Sequence, residues 1–243
     1  MIRFALAAPL ALLPLAAQAQ EASPGRTFSL PAGCTAYLTV QEESCTVSHH
    51  FTCENDPAGW QRRVTMDESG ISYFGAIDAE TQWVESFHMI SGHSERLAPG
   101  ATDPASFTDL TTTGVDTYDF QTDSAEVGTT RYVGQDRLTG ETVTIDGVTL
   151  DQTEFAITAY APDGTEMWTS HGREFISRDW RMFLSGTSTI TAGGETWESS
   201  ERPVDFIFPG EPGFLSVTPV HGCGVVLSSL DAGAAPPLSR VPG

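Results

Sequence analysis

The stretch TVTIDGVTL, residues 142–150, decides the fold class. Val143 and Ile145 alternate with polar residues before Asp146 and Gly147, and the alternation resumes after that pair. An Asp-Gly pair readily adopts the two consecutive positive φ angles of a two-residue turn between antiparallel strands. The stretch therefore predicts a β-hairpin.

Short runs of the same kind fill most of the chain, and the last two predicted strands cover residues 215–217 and 220–227. One helix is predicted over residues 103–110, with Asp103 as its cap and Pro104 at its first position. Consecutive strands joined by short turns pair antiparallel with their neighbours. We therefore predict an all-β fold, an antiparallel meander of about ten strands forming a curved sheet, a sandwich or a half-barrel, with one short helix.

Both ends of the chain differ in composition from the strand-rich region. Residues 1–19 combine Arg3, an apolar run and the sequence Ala-Gln-Ala, which predicts a signal peptide cleaved before Gln20 and a periplasmic or secreted protein. Residues 20–227 are predicted to form a single domain, and the Pro-rich residues 228–243 a disordered tail. No later run has the length that a transmembrane helix requires.

The chain is acidic, with a formal net charge of −20, and its twelve basic residues are all arginine. Nucleic acid is excluded as a partner because no basic stripe is present to neutralise phosphates. Without lysine, neither Schiff-base chemistry nor a phosphate-binding loop is available. Two explanations of the acidity stay open: adaptation to a salty medium, or binding of cations or a basic partner.

Four cysteines in an exported chain predict two disulfides. Cys45 and Cys53 would lie roughly 26 Å apart within one strand, too far for a bridge. A hairpin of the first two strands places Cys34 opposite Cys53. This favours Cys34–Cys53 with Cys45–Cys223, and the alternative is Cys34–Cys45 with Cys53–Cys223.

The histidines are candidate metal ligands. His49 and His50 are adjacent, so only one of them can face a given site, where His221 and a carboxylate would complete a zinc or copper site. His88 and His93 are five residues apart. If they lie on one strand, they point to opposite faces and make a poor ligand pair.

Aromatic residues are concentrated in the C-terminal half, where they can line a cavity or pack a core. Three arginines in the same region can form an anion clamp or pair with neighbouring acids. The candidate ligand-binding residues are Trp168, Phe175, Trp180, Phe183, Arg173, Arg178 and Arg181.

No serine lies in a G-x-S-x-G motif, and no cysteine stands near a histidine in a catalytic signature. The sequence therefore favours a non-catalytic exported protein without a cofactor. Its concave sheet face would bind an apolar small molecule or an envelope protein. One alternative is a hydrolase in which two carboxylates face each other in a cleft and one has a raised pKa. The other is a metal-binding protein that uses His49 or His50 with His221.

Overall fold

The computed structural model describes residues 26–224, so the predicted signal peptide and the predicted tail lie outside the described residues. The described chain is nearly all β, with one helix. Its elements are β1 (Cys34–Glu42), β2 (Thr46–Cys53), β3 (Gln61–Asp67), β4 (Gly70–Ile77), β5 (Trp83–His88), β6 (His93–Leu97), α1 (Phe107–Thr113), β7 (Val115–Ser124), β8 (Gly128–Ile145), β9 (Val148–Tyr160), β10 (Glu166–Ser177), β11 (Met182–Ala192), β12 (Glu195–Ser200) and β13 (Pro203–Ile207).

All thirteen strands belong to one antiparallel sheet, which confirms the predicted meander. Each strand from β1 to β12 pairs with the next in sequence, and β13 returns to pair with β1. The sheet is not closed. Because only Glu201 and Arg202 separate β12 from β13, the chain passes directly from one sheet edge to the other. The two edges therefore lie close together at this end, and the sheet is strongly curved.

The hairpin at residues 142–150 is present as predicted, with Val143 opposite Leu150. Asp146 and Gly147 have φ angles of 46° and 79°, as a two-residue turn with two positive φ angles requires. The Asp146 carboxylate also accepts a hydrogen bond of 2.9 Å from the backbone N–H of Phe206. The turn is thereby attached to β13.

The sequence predictions of the helix bounds and of the last strands were wrong, and two strands were missed. The helix spans Phe107–Thr113, because Ser106 rather than Asp103 caps it: the Ser106 hydroxyl accepts a 3.1 Å hydrogen bond from the Asp109 N–H. Strands β6 and β12 were not predicted. Within residues 208–224 no strand forms, and Ser216 makes only an isolated bridge to Thr27. Residues 225–227 of the strand predicted over 220–227 lie outside the described residues.

Disulfides join Cys34 to Cys53 and Cys45 to Cys223, the connectivity that the sequence favoured. Cys34 lies directly opposite Cys53 in the β1–β2 register. The second bridge fastens the segment after β13 to the turn between β1 and β2. No helix within residues 26–224 is long and apolar enough to cross a membrane.

Two apolar clusters lie on opposite faces of the sheet at β1. The first joins the two ends of the sheet, because β1 and β13 pack there against β9, β10 and β11. It consists of Leu38, Val40, Leu150, Phe175, Met182, Leu184 and Phe206. The second lies on the opposite face of β1–β4, where residues flanking the sheet at both ends of the described chain cover it. Its buried members are Ala36, Val47, Phe51, Val64 and Met66.

Candidate functional site

One face of the sheet lines a partly open cavity of about 820 Å³, formed by residues from β2 to β12. Four aromatic side chains form one of its walls, and we call Trp83, Phe120, Tyr132 and Trp168 the aromatic wall. The Trp83 ring packs edge-on against Phe120 and Tyr132 with centroid separations of 5.5 and 5.3 Å. Trp168 lies 6.0 Å from Tyr132. The wall offers a large apolar surface to the cavity.

Strand alternation places the aromatic side chains of β7 and β8 on the cavity face of the sheet. Tyr118 and Phe120 of β7 are in phase, and they pair with Gly134 and Tyr132 of β8. Gly134 is required because a Cβ there would lie 2.6 Å from the Tyr118 ring and 2.4 Å from the Ala156 carbonyl oxygen. The absence of a side chain at residue 134 thus leaves space for the Tyr118 ring on the cavity face.

The cavity also contains carboxylates, and we call Asp116, Asp136 and Glu174 the acidic group. Asp116 of β7 lies directly opposite Asp136 of β8, and both side chains are almost fully buried. Directly opposed residues of antiparallel strands have Cβ atoms about 4.5–5.5 Å apart, and like charges at that position destabilise the sheet. Ionisation of both aspartates would therefore destabilise the folded sheet.

Burial raises the pKa of all three carboxyl groups. It raises the pKa of Asp136 to about 8, with further contributions from Glu174 and Asp116. It raises the pKa of Asp116 to about 6, although the Ser106 backbone N–H opposes this by donating a 2.9 Å hydrogen bond to the carboxylate. The pKa of Glu174 rises to about 7 through burial, opposed by Arg63. Near neutral pH the acidic group therefore holds protons that ordinary carboxylates would have lost.

Arg63 also lines the cavity, and its positive charge lowers the pKa of Glu174. Its guanidinium lies 4.8 Å from the centroid of the Tyr73 ring. Directly opposite Arg63 on β2, His50 faces the cavity, and burial lowers the pKa of its imidazole to about 3. His50 is thus neutral. The cavity lining also contains Arg62, which is paired with Asp56 and Glu85, and the carboxylates of Glu95 and Glu201.

Of the four aromatic residues proposed as ligand-binding, Trp168 and Phe183 line the cavity. Phe175 instead belongs to the apolar cluster that joins the two ends of the sheet, and Trp180 packs against that cluster. Sequence composition did not separate the two sets, because Phe175 lies on the same strand as Trp168 and Trp180 lies in the turn that follows it.

The three predicted arginines do not converge on one site. Each pairs with a different acid, so the structure brings together no anion clamp from them. The pairs are Arg173 with Glu154 at 3.6 Å, Arg178 with Asp151 at 2.5 Å and Arg181 with Glu80 at 3.0 Å.

The predicted metal ligands are also dispersed. His49 is fully buried on the face opposite the cavity, where its ring stacks on Phe28 and its Nδ1 lies 3.0 Å from the Thr39 hydroxyl. His221 is paired with Asp205, with 2.6 Å between Nε2 and Oδ2. Among residues 26–224, neither residue belongs to a cluster of candidate metal-ligand atoms.

His88 and His93 contradict the expectation that they point to opposite faces. Residues 89–92 reverse the chain, so the two histidines end β5 and begin β6 directly opposite each other. Their rings stack with 4.6 Å between centroids. The error came from treating a hairpin as one strand, since Gly92, with a φ of 69°, was not recognised as part of a turn.

No family model, curated protein or solved structure matches the chain. Sequence reasoning did not find the acidic group, although a signal was present. Asp116 is in phase with Tyr118 and Phe120, and Asp136 is in phase with Tyr132, so an acid occupies an inward position on each strand.

Proposed function

We propose that this chain is an exported, non-catalytic binding protein whose cavity holds an apolar small molecule carrying a hydrogen-bond donor or a positive charge. The proposal includes signal-peptide removal before Gln20 and a periplasmic or secreted location. The two disulfides support an oxidising compartment. The observation that carries the binding role is the cavity itself, which has one aromatic wall and one acidic group.

The dimensions and the lining support a small-molecule ligand. Ligand sites typically enclose about 300–1,000 Å³, are mostly apolar and contain a few converging polar groups. A cavity of about 820 Å³ falls in this range. The aromatic wall would contact the apolar body, because burial of apolar surface supplies most of the binding free energy.

The acidic group sets the polarity of the ligand. Among residues 26–224, no hydrogen bond from the protein contributes to the pKa of Asp136 or of Glu174, and we infer that their oxygens can accept from a ligand donor. A cation placed between Asp116 and Asp136 would favour the ionised form of both carboxyl groups. A carboxylate ligand would add a further negative charge to a lining whose two arginines, Arg62 and Arg63, already lie among several carboxyl groups.

Titration with the neutral fluorophore N-phenyl-1-naphthylamine tests the binding role. We expect saturable binding with one site per chain, because the aromatic wall is preformed. Replacing Trp83 with Ala removes ring contacts to Phe120 and Tyr132, and we expect it to weaken binding by about tenfold. The matched control is Trp60→Ala, since Trp60 lies outside the cavity lining.

Displacement of the same fluorophore tests whether the cavity prefers a positively charged ligand to a negatively charged one. At pH 7 dodecylamine should displace it at a lower concentration than dodecanoate, which has the same chain length and the opposite charge. Non-saturable fluorescence in the wild type would contradict the binding role. Equal displacement by amine and acid would contradict the part assigned to the acidic group and leave the apolar ligand in place.

The opposed pair of aspartates favours a second candidate function, hydrolysis by acid–base catalysis. Two carboxyl groups in one cavity with different pKa values can supply a protonated acid and an ionised base at the same pH. If this function is present, p-nitrophenyl esters or glycosides should be hydrolysed with a bell-shaped pH profile. Activity should fall at least about 100-fold in both Asp116→Asn and Asp136→Asn. Activity that survives either substitution would exclude the pair as catalyst.

A further inference from the structure

The β5–β6 hairpin places two histidines and one glutamate on the cavity face of the sheet. His93 and Glu95 are two residues apart on β6, so they share a face, and His88 lies directly opposite His93. Their candidate ligand atoms all lie within 4.8 Å of one another. We propose that His88, His93 and Glu95 form a binding site for a late divalent transition metal such as zinc.

The ligand chemistry fits that class of ion. Imidazole nitrogen together with carboxylate oxygen suits zinc, copper and nickel, whereas calcium and magnesium prefer oxygen alone. Three protein ligands leave a fourth position open in a tetrahedral zinc site. Since His88 and Glu95 line the cavity, that position would face the cavity interior.

Glu95 is buried and held for this role by its surroundings. Its Oε1 accepts hydrogen bonds of 3.1 Å from the Tyr132 hydroxyl and from the Thr122 hydroxyl. Its Oε2 points instead toward His88, with 3.6 Å to Nε2, and has one long contact of 3.4 Å to the Ser86 hydroxyl. One oxygen is therefore fixed, and the other is directed at the site.

His93 is supported in the same way. Its Nδ1 lies 2.8 Å from the Ser91 hydroxyl, which leaves Nε2 as the ligand atom. Hydrogen bonds from the second nitrogen of a histidine ligand commonly fix its ring orientation and raise its basicity. The ligand atoms lie within 4.8 Å of one another, and metal binding would draw them to the separation of about 3.3 Å found in a tetrahedral zinc site.

The other candidate cluster in the described part of the chain lacks this capacity. It consists of Cys45, Glu68 and Cys223, and both of its cysteines are bridged to each other. A disulfide offers no thiolate to a metal ion. The net charge of −20 favours the approach of any divalent cation, so specific binding has to be distinguished from general attraction by substitution.

Zinc titration by calorimetry tests the site, using full-length mature protein purified without an affinity tag and first treated with a chelator. We expect one zinc ion per chain. His88→Ala and His93→Ala should each weaken zinc affinity by more than about 100-fold, because loss of a supporting partner alone costs about 10–100-fold. Glu95→Gln should weaken it by at least about tenfold. Thermal unfolding should remain near that of the wild type for both histidine variants.

His171→Ala is the matched control, since His171 is an exposed histidine of β10. Zinc affinity should be unchanged in it and in His221→Ala. Cobalt substitution supplies a spectroscopic readout, with visible bands of a four-coordinate site in the wild type and none in His93→Ala. Absence of stoichiometric zinc binding in the wild type would overturn the proposal, and so would wild-type affinity in a folded His93→Ala protein.

Discussion

Replacing Asp136 with Asn is expected to stabilise the protein, and the gain should grow with pH. The wild-type carboxyl group is buried on the cavity face opposite Asp116, and its pKa is raised to about 8. Asparagine has nearly the same shape and carries no charge. We expect the variant to be more stable than the wild type by roughly 3 kcal/mol at pH 9, because each pKa unit corresponds to about 1.4 kcal/mol and cavity water reduces the total.

The sign of this pH dependence follows from the number of protons that the folded and unfolded chains bind. Below pH 4 Asp136 is protonated in both the folded and the unfolded chain, so the substitution changes the free energy of unfolding little. Between about pH 4 and pH 8 the unfolded chain loses this proton while the folded chain retains it. The wild type therefore loses stability as pH rises through this range, and above about pH 8 the loss is complete. An asparagine side chain does not titrate, so the Asp136→Asn variant escapes this loss.

Urea unfolding of both proteins at pH 4, 6, 7 and 9 measures the effect. Asp179→Asn is the control, because Asp179 is exposed and outside the cavity, and its stability should follow that of the wild type at every pH. A constant difference between Asp136→Asn and the wild type from pH 4 to pH 9 would show that Asp136 ionises normally. A stabilising substitution in the cavity would also indicate that the aspartate is retained for function.

The second large effect concerns the disulfide between Cys45 and Cys223. It closes a loop with a sequence separation of 178, whereas Cys34–Cys53 closes one of 19. In the chain-entropy account, removal of the long loop closure costs roughly 5 kcal/mol and removal of the short one roughly 3 kcal/mol. We expect the double replacement of Cys45 and Cys223 by Ser to be the more destabilising of the two.

Guanidinium unfolding of the two double variants compares the bridges directly. The Cys34/Cys53 variant serves as the matched control, since it also replaces two cysteines by serine and leaves the other bridge intact. Equal destabilisation would contradict the loop-length argument. It would indicate that the segment after β13 is held on the β1–β4 face mainly by apolar contacts such as those of Phe214 and Val217.

The parts of the fold that follow local chemistry could be predicted from the sequence. Asp146 and Gly147 specify their turn by backbone conformation alone. The pairing of Cys34 with Cys53 followed from the alternation of apolar residues along two neighbouring strands. By contrast, β12 carries mostly exposed polar residues, so its alternation gives no hydrophobic signal.

The candidate site depends on the register between strands, which the sequence pattern of a single strand does not show. Asp116 and Asp136 meet only because the β7–β8 register places them opposite each other. A one-residue slip of that register would move one of them to the other face of the sheet. His88 and His93 depend in the same way on one unrecognised turn. Composition showed a surplus of acids, and only the register showed which of them enter the cavity.

The order of strands also bears on how the protein folds. Twelve strands pair with their sequence neighbours, so the sheet can grow hairpin by hairpin with small entropic cost at each step. The pairing of β13 with β1 is the exception, because it joins residues more than 160 positions apart, such as Thr39 and Ile207. We expect it to form late. Until then the two ends of the sheet are separate. A newly made chain would then expose the residues that later line the cavity to solvent and to any protein that binds unpaired strand edges.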